Sequence, residues 1–294
     1  SFVEIDSLST QYFKANDFSL ISSNINDTLY VKSNFNSGKN KSDEFDFNLS
    51  YINRDNIHAI GFKPSTIQYK NVIWELRTKY SSKNTFVYDS NTKGFKLEPI
   101  NMTNSLEKII FNANALDSLS TTIDVKFEDV DLSKVTPDID SLKLGGIVNG
   151  KLELLKSNGT YLPKSLLSIN SFNVNGFNLG EFEADISGNS SLTNYDVDVK
   201  IQNDLSESFS AVGNLDVSGD KSFLNLDLRF NEFILNPLNP FGGGAVSNIR
   251  GNISGKSKIT GRLERPKING LLILDDGGFS IPYLNIDYEF NNST

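Results

Sequence analysis

The sequence predicts an all-β protein, an elongated antiparallel meander laid out as one long concave sheet. Three observations predict it: apolar and polar residues alternate with a period of two along almost every segment, short turns rich in Asn, Asp, Ser and Gly separate those segments, and one succession of strands and turns occurs twice.

In chain order, alternation marks strands at Phe45, Phe47, Leu49 and Tyr51, then Val72, Trp74 and Leu76, then Ile109, Phe111 and Ala113, then Ile123, Val125 and Phe127. It continues through Leu152 and Leu154, then Phe182, Ala184 and Ile186, then Tyr195, Val197, Val199 and Ile201. Phe209 to Val217, Leu224 to Phe230 and Ile268 to Leu274 close the series. Polar residues fill the alternate slots, as with Asp196, Asp198 and Lys200, so each strand has one apolar and one wet face, the habit of an antiparallel sheet. Turn signals at Asn36–Lys41, Ser81–Asn84, Asp89–Gly94, Ser157–Gly159, Gly188–Ser191 and Ser218–Lys221 read as hairpin connections. The count is roughly 18 strands, which would span about 85 Å in a single sheet at about 4.8 Å per strand.

Two stretches break the alternation. Leu132–Leu142 carries Pro137, and Ile234–Asn248 carries Pro237, Pro240 and Gly242–Gly244, so both read as crossover loops with at most a helical turn. A small gate or docking loop is the functional alternative. They occupy equivalent places in the two copies of the repeat, Phe127–Ile186 and Phe230–Phe290, each leading into a Gly-x-x-x-Gly-Lys step at Gly146–Lys151 and Gly251–Lys256. Gly150, Gly213, Gly255, Gly261 and Gly270 fall inside strands, where glycine favours sharp curvature or bulges.

At 38% hydrophobic content the chain has enough apolar material to fold around a substantial core. A net charge of -8 and the lack of a basic stripe along the sequence argue against a nucleic-acid partner. The absence of cysteine removes thiol catalysis, disulfides and thiolate metal sites, and leaves the redox compartment open. No run approaches the roughly 18 apolar residues of a membrane span, and Ser1–Asp17 lacks the basic start and apolar block of a signal peptide. The start reads as mature or internal sequence and strand-like alternation still runs through Tyr288–Phe290 before the polar tail, so a longer parent chain is expected.

Candidate chemistry is sparse. His58 stands alone and assembles neither a metal site nor a triad, so its expected role is structural. Gly242–Gly244 lacks the following Lys-Ser or Lys-Thr and the helix pattern of a phosphate cradle. The acidic pairs Asp129 with Asp131, Asp138 with Asp140, and Asp275 with Asp276 fit no spaced calcium loop and read as solvated turns. Asn-x-Ser/Thr triplets, as at Asn48 and Asn158, and Asp-Ser/Thr-aliphatic triplets, as at Asp6, Asp27, Asp117 and Asp140, occur as often as this Asn- and Ser-rich composition delivers. No cofactor is expected, and no residues form a catalytic constellation.

Asn231–Phe290 resembles the carboxy-terminal region of the TamB family of bridge-like proteins. The matching residues are Leu235-x-Pro237, Pro240-Phe241-Gly242, the Gly251-x-x-x-Gly255-Lys256 step with Gly261, Arg265-Pro266-x-Ile268-x-Gly270, and Phe279–Leu284 followed by Tyr288. The earlier copy matches through Leu132-Ser133, Gly146, Gly150-Lys151, Tyr161-x-Pro163 and Asn178-Leu179-Gly180, while residues 1–121 match only in alternation and turns. Gly244-Ala245-Val246 and Asp275–Gly278 depart from the pattern in detail.

The resemblance implies residues 1–121 as groove-forming sheet, 122–229 as a first TamB-type repeat with following strands, and 230–294 as a second. It implies an open, taco-shaped groove with an apolar interior, standing in the periplasm of a Gram-negative bacterium and anchored in the inner membrane. Phospholipid acyl chains would be the cargo, carried between the membranes in cooperation with an outer-membrane TamA-type barrel or a lipoprotein relative. The groove would be lined by Phe45, Phe47, Leu49, Val72, Trp74, Leu76, Ile109, Phe111, Ile123 and Val125, by Leu152, Leu154, Phe182, Ile186, Val197 and Val199, and by Leu215, Leu224, Leu226, Leu228, Ile259, Leu272, Leu274, Ile286 and Tyr288. The alternative expectation is a periplasmic scaffold that assists assembly of outer-membrane proteins or autotransporters by offering strand edges.

Overall fold

The computed structural model describes residues 1–9, 14–38, 41–77, 84–117, 119–137, 141–157, 160–203, 206–219 and 221–290. The protein is all-β: among the described residues twenty strands belong to one sheet, and the pairings between them are antiparallel. The chain divides into two compact units, Ser1–Val130 with Glu153–Thr160, and Asp131–Leu152 with Tyr161–Thr294. The turns around Ser81–Lys83, Asn158–Gly159 and Asp220, and the acidic pair Asp138 with Asp140, lie outside the described residues, as does Ser118.

The first unit starts as a meander of β1 (Phe2–Ser9), β2 (Lys14–Ile25), β3 (Thr28–Ser37) and β4 (Asp43–Arg54). Asn26 and Asp27, at φ 47° and 62°, form the two-residue hairpin between β2 and β3, a left-handed geometry that Asn and Asp tolerate. The meander then forks. Leu49–Arg54 of β4 pairs with β5 (Ile57–Phe62), whereas Glu44–Asp46 of the same strand pairs with β6 (Ser65–Tyr69). β5 pairs in turn with β8 (Thr85–Asp89), β6 with β7 (Val72–Arg77), and β7 and β8 rejoin side by side on β9 (Phe95–Asn104). From there β10 (Glu107–Ala115) and β11 (Ser120–Asp131) resume the simple order.

Pro64 is the cause of the fork, because it supplies no N–H to the ladder and follows the end of β5 at Phe62. The backbone groups orphaned there are satisfied locally. The Asn48 N–H donates to Ser65 Oγ at 2.9 Å, Asn48 Nδ2 donates to the Pro64 carbonyl at 2.9 Å, and Ser65 Oγ donates to the Lys63 carbonyl at 2.9 Å. Asn84, 1% exposed, accepts the Phe62 N–H through its backbone carbonyl. The count of strands therefore exceeds the roughly 18 expected from alternation, with the short strands β5 to β8 filling two lanes between β4 and β9.

The second unit is an uninterrupted meander. α1 (Leu132–Val135) is a single turn whose Asp131 cap accepts the Ser133 N–H at 2.9 Å. β12 (Leu144–Ser157) crosses the division between the units and leads to β13 (Thr160–Val174). β14 (Phe177–Gly188), β15 (Asn194–Gln202), β16 (Glu207–Asp216) and β17 (Phe223–Ile234) then pair each with the next. A 3-10 turn over Asn236–Gly242 precedes the long hairpin of β18 (Ser247–Arg262) and β19 (Arg265–Ile281), and a second 3-10 turn, Pro282–Leu284, precedes β20 (Ile286–Phe290). Both stretches read from sequence as crossover loops thus carry a short helical turn. Asn239 ties its turn to the sheet, accepting the Ile249 N–H at 2.6 Å and donating to the Ile249 carbonyl at 2.8 Å.

The repeat is visible in backbone conformation. Gly146 and Gly251 have φ 120° and 102°, Gly150 and Gly255 have 135° and 132°, Ser171 and Asp276 have 53° and 48°, and the turn residues Asn175 and Asn285 have 54° and 52°. The physical need is clearest at Gly255, where a β carbon would stand 2.3 Å from the Leu271 carbonyl oxygen of the neighbouring strand. Its counterpart at Gly150 would stand 2.2 Å from the Leu166 carbonyl oxygen. Gly213, Gly261 and Gly270 pair in unbroken register, whereas register shifts adjoin Gly255, between Phe230 and Phe233, and Gly251, between Arg250 and Asn252. Glycine is required here by the close approach of the adjacent backbone.

Candidate functional site

Because directly paired residues share a face of the sheet, the register decides which apolar side chains come together. In the second unit they form continuous rows. One row runs Ile169, Phe182, Ile201, Phe209, Phe230, Gly255, Leu272 across seven strands, and the next runs Leu167, Ala184, Val199, Ala211, Leu228, Ser257, Gly270. A third contains Ile186, Val197, Gly213, Leu226, Ile259 and Ile268, and a fourth Tyr195, Leu215, Leu224 and Gly261. Leu274 extends the face through Ile253 to Phe233, while Ile286 and Tyr288 join it opposite Ile281 and Phe279. Seven strands at about 4.8 Å and four rows at about 6.8 Å give a sheet face of about 600 Å² before any curl is counted.

Ile169 and Ile201 of the first row and Ala184, Ala211 and Leu228 of the second are buried. Phe182, Ile186, Val197, Val199, Leu215, Leu224, Leu226, Ile259, Leu272 and Leu274 are half-buried, and Ile286 and Tyr288 are exposed. Phe209, Phe230 and Phe233 pack as a ring cluster with centroids 5.3 to 6.0 Å apart, and Phe279 contacts Tyr288 at 5.3 Å. Among the described residues, all strands belong to one sheet.

The first unit has a face of the same kind. Phe35, Phe45, Ile67 and Trp74 are paired in sequence, and Ser65, Leu76, Met102, Ile109 and Phe127 form the adjoining row. Phe47, Leu49, Val72, Phe111, Ile123 and Val125 fall on the same side through their pairing with Ser33, Val31, Tyr69, Ile100, Ala113 and Phe111. Trp74, Leu76 and Ile109 are buried, Ile123 is exposed, and the others are half-buried. Phe35 stacks on Phe45 at 4.7 Å. In β12, Leu152 is exposed and Leu154 half-buried.

The remaining candidates take structural places. His58 is half-buried, hydrogen-bonded through Nδ1 to the Tyr51 hydroxyl at 2.8 Å and flanked by Tyr88. Gly242–Gly244 sits at the end of a 3-10 turn, with Gly243 and Gly244 in left-handed conformation. Asp131 caps α1, and Asp276 occupies the bulge of β19. Among the described residues no group of three His, Asp or Glu side chains is arranged to hold a metal ion.

Two features escape a reading along the chain. Ser257 interrupts the apolar row between Leu228 and Gly270, and its buried hydroxyl has no hydrogen-bond partner. Arg250 reaches from β18 to β20, with Nη1 and Nη2 donating to the Asp287 carboxylate at 3.0 and 2.6 Å. That guanidinium and Ser280 hold the Asp287 carboxyl below its ordinary value of 3.8. The crossing needs Gly278, where a β carbon would stand 2.5 Å from Arg250 Cζ. Comparison with protein-family models, with curated proteins and with solved structures finds no match for the chain.

Proposed function

We propose that the apolar faces hold phospholipid acyl chains, and that the protein is a bridge-like conduit of the TamB type, carrying phospholipid across the periplasm through an open, taco-shaped groove. The observation that carries this reading is the set of apolar rows in unbroken register, backed by a polar face with Glu183, Asp185, Asp196, Asn225 and Asp227 exposed. Burying a chain of about 15 methylenes contributes on the order of 12 kcal/mol at about 0.8 per methylene, and a bilayer offers nearly the same. Exchange between the two is therefore close to balanced, while the headgroup stays wet at the open side. No catalytic residue is required, and an outer-membrane TamA-type barrel or a lipoprotein relative is the partner this reading assigns.

Native mass spectrometry after gentle extraction from membranes tests it. Co-purified phospholipid is the expected result, and a lipid-free protein that also refuses lipid on reconstitution would overturn it. One observation favours the scaffold reading: β20 pairs only with Gly277–Ile281, so the long β19 presents Arg265–Asp276 without a partner strand on that side among the described residues. Crosslinks from that edge to nascent outer-membrane strands, with no lipid bound, would select the scaffold instead.

A further inference from the structure

The polar face of the second unit is not uniform. Along β17 to β19 the register gathers Arg229, Lys256, Lys258, Arg262, Arg265 and Lys267 on one side of the sheet, all exposed, in a chain whose net charge is -8. The sequence hides this patch because its members come from three strands. Arg229 stands directly opposite Lys256, and Arg262 directly opposite Arg265. Sheets avoid like charges in such pairs, which destabilise the ladder. Among the described residues, only Lys258 of the six has an ion-pair partner, Asp227 at 3.6 Å. Asp227, Glu264 and Asp216, which is paired with Phe223, are the carboxylates at this patch, and the other acidic residues of the face, Asp185, Asp196 and Asp198, lie on β14 and β15, so β17 to β19 remain cationic.

The same face and its hairpin tip carry exposed apolar side chains. Leu271 is paired with Lys256, Phe223 is paired with Arg262, and Leu263 lies in the turn between β18 and β19, at 68%, 46% and 56% exposure. Unpaired cations interleaved with exposed apolar groups complement an anionic lipid surface: the cations meet headgroup phosphates, and Leu and Phe enter the interfacial layer. A soluble polyanion would satisfy the cations and leave the apolar side chains in water.

We infer that the outer face of the β17–β19 hairpin region docks on bilayers rich in anionic phospholipid headgroups. The surface is opposite to the apolar rows, so the inference stands whether or not those rows hold acyl chains.

The test is co-sedimentation of the whole protein with vesicles of phosphatidylglycerol and phosphatidylcholine, compared with phosphatidylcholine alone. Each Lys or Arg near an anionic leaflet strengthens binding about fivefold, so the Arg265→Gln/Lys267→Gln double variant should bind about 25-fold more weakly. Both residues are exposed, so unchanged thermal unfolding is expected. Lys32→Gln/Lys96→Gln, in the first unit, should bind as the parent does. Equal binding to both vesicle types, or no loss in the Arg265/Lys267 variant, overturns the proposal. Binding to duplex DNA that is tighter than to anionic vesicles and falls in the same variant assigns the patch to a soluble polyanion and also overturns it. Inhibition by inorganic phosphate beyond that of chloride at matched ionic strength would mark a single-phosphate pocket and overturn it as well. A Leu226→Asp protein that has lost bound lipid yet still sediments with anionic vesicles would separate this surface from the conduit.

Discussion

Leu226→Asp places a carboxylate in the middle of the apolar rows of the second unit. Leu226 lies directly opposite Gly213 on one side and Ile259 on the other, with Leu224 and Leu228 on the same strand. Gly213 has no side chain, so Leu226 is the group nearest to any chain lying over that part of the row. A hydrated carboxylate would hold water over its own position and over its cross-strand neighbours. Losing contact with about four methylenes costs about 3 kcal/mol at about 0.8 each, or about 200-fold in occupancy. Asn225→Asp lowers the charge by the same amount on the opposite, exposed face and should leave occupancy unchanged. Native mass spectrometry of the two variants, extracted side by side, reads the bound phospholipid, and matching circular dichroism spectra control for folding. Equal lipid in the two proteins would refute the assignment of these rows to acyl chains.

Other outcomes follow from individual contacts. Gly255→Val combines φ 132° with a β carbon 2.3 Å from the Leu271 carbonyl oxygen, so it should lower the thermal midpoint by roughly 6–12 °C, for about 3 kcal/mol in a unit of this size. Gly244→Ala shares the left-handed backbone but meets nothing within 4 Å, and should cost only about 1–2 kcal/mol; equal losses would contradict the close-approach argument. Ser65→Ala leaves the Asn48 N–H without its acceptor at the fork of the first unit and should cost about 1–3 kcal/mol by denaturant unfolding, whereas Ser50→Ala, which loses only a 3.5 Å contact, should be near neutral. The Asp287 carboxyl is held below 3.8 by Arg250 and Ser280, so its contribution to β20 docking is full above that value and is lost as pH falls through the lower folded one. Deuterium exchange over Ile286–Phe290 should rise in that acid range relative to intrinsic rates, and Asp287→Asn should abolish the dependence; an unchanged acid response in the variant would exclude this clamp.

Alternation in the sequence identified the faces because a period of two survives any arrangement of hairpins, which is why Phe182, Val199, Leu226 and Ile259 could be assigned to one side before any pairing was known. Pairing itself is a long-range property. The fork at Asn48 and Ser65 could not be read from local pattern, since β5 and β6 look like consecutive hairpin strands and only Pro64 hints that they leave the lane. Gly150 and Gly255 stood out by their repetition, but whether a strand glycine makes a bulge or admits a neighbouring carbonyl depends on the partner strand. The cationic patch was invisible for the same reason. Arg229 and Lys256 are distant in sequence and adjacent only once β17 and β18 are in register.

Trp74 tests the central claim most directly, because it is the chain's one tryptophan and sits on the apolar face of the first unit, opposite Ile67. Its emission should be quenched when the protein is loaded with phospholipid brominated along the acyl chain and should stay insensitive to iodide in the water. Unchanged emission with fully loaded brominated lipid, or quenching by iodide alone, would mean that the apolar face of that unit does not hold acyl chains.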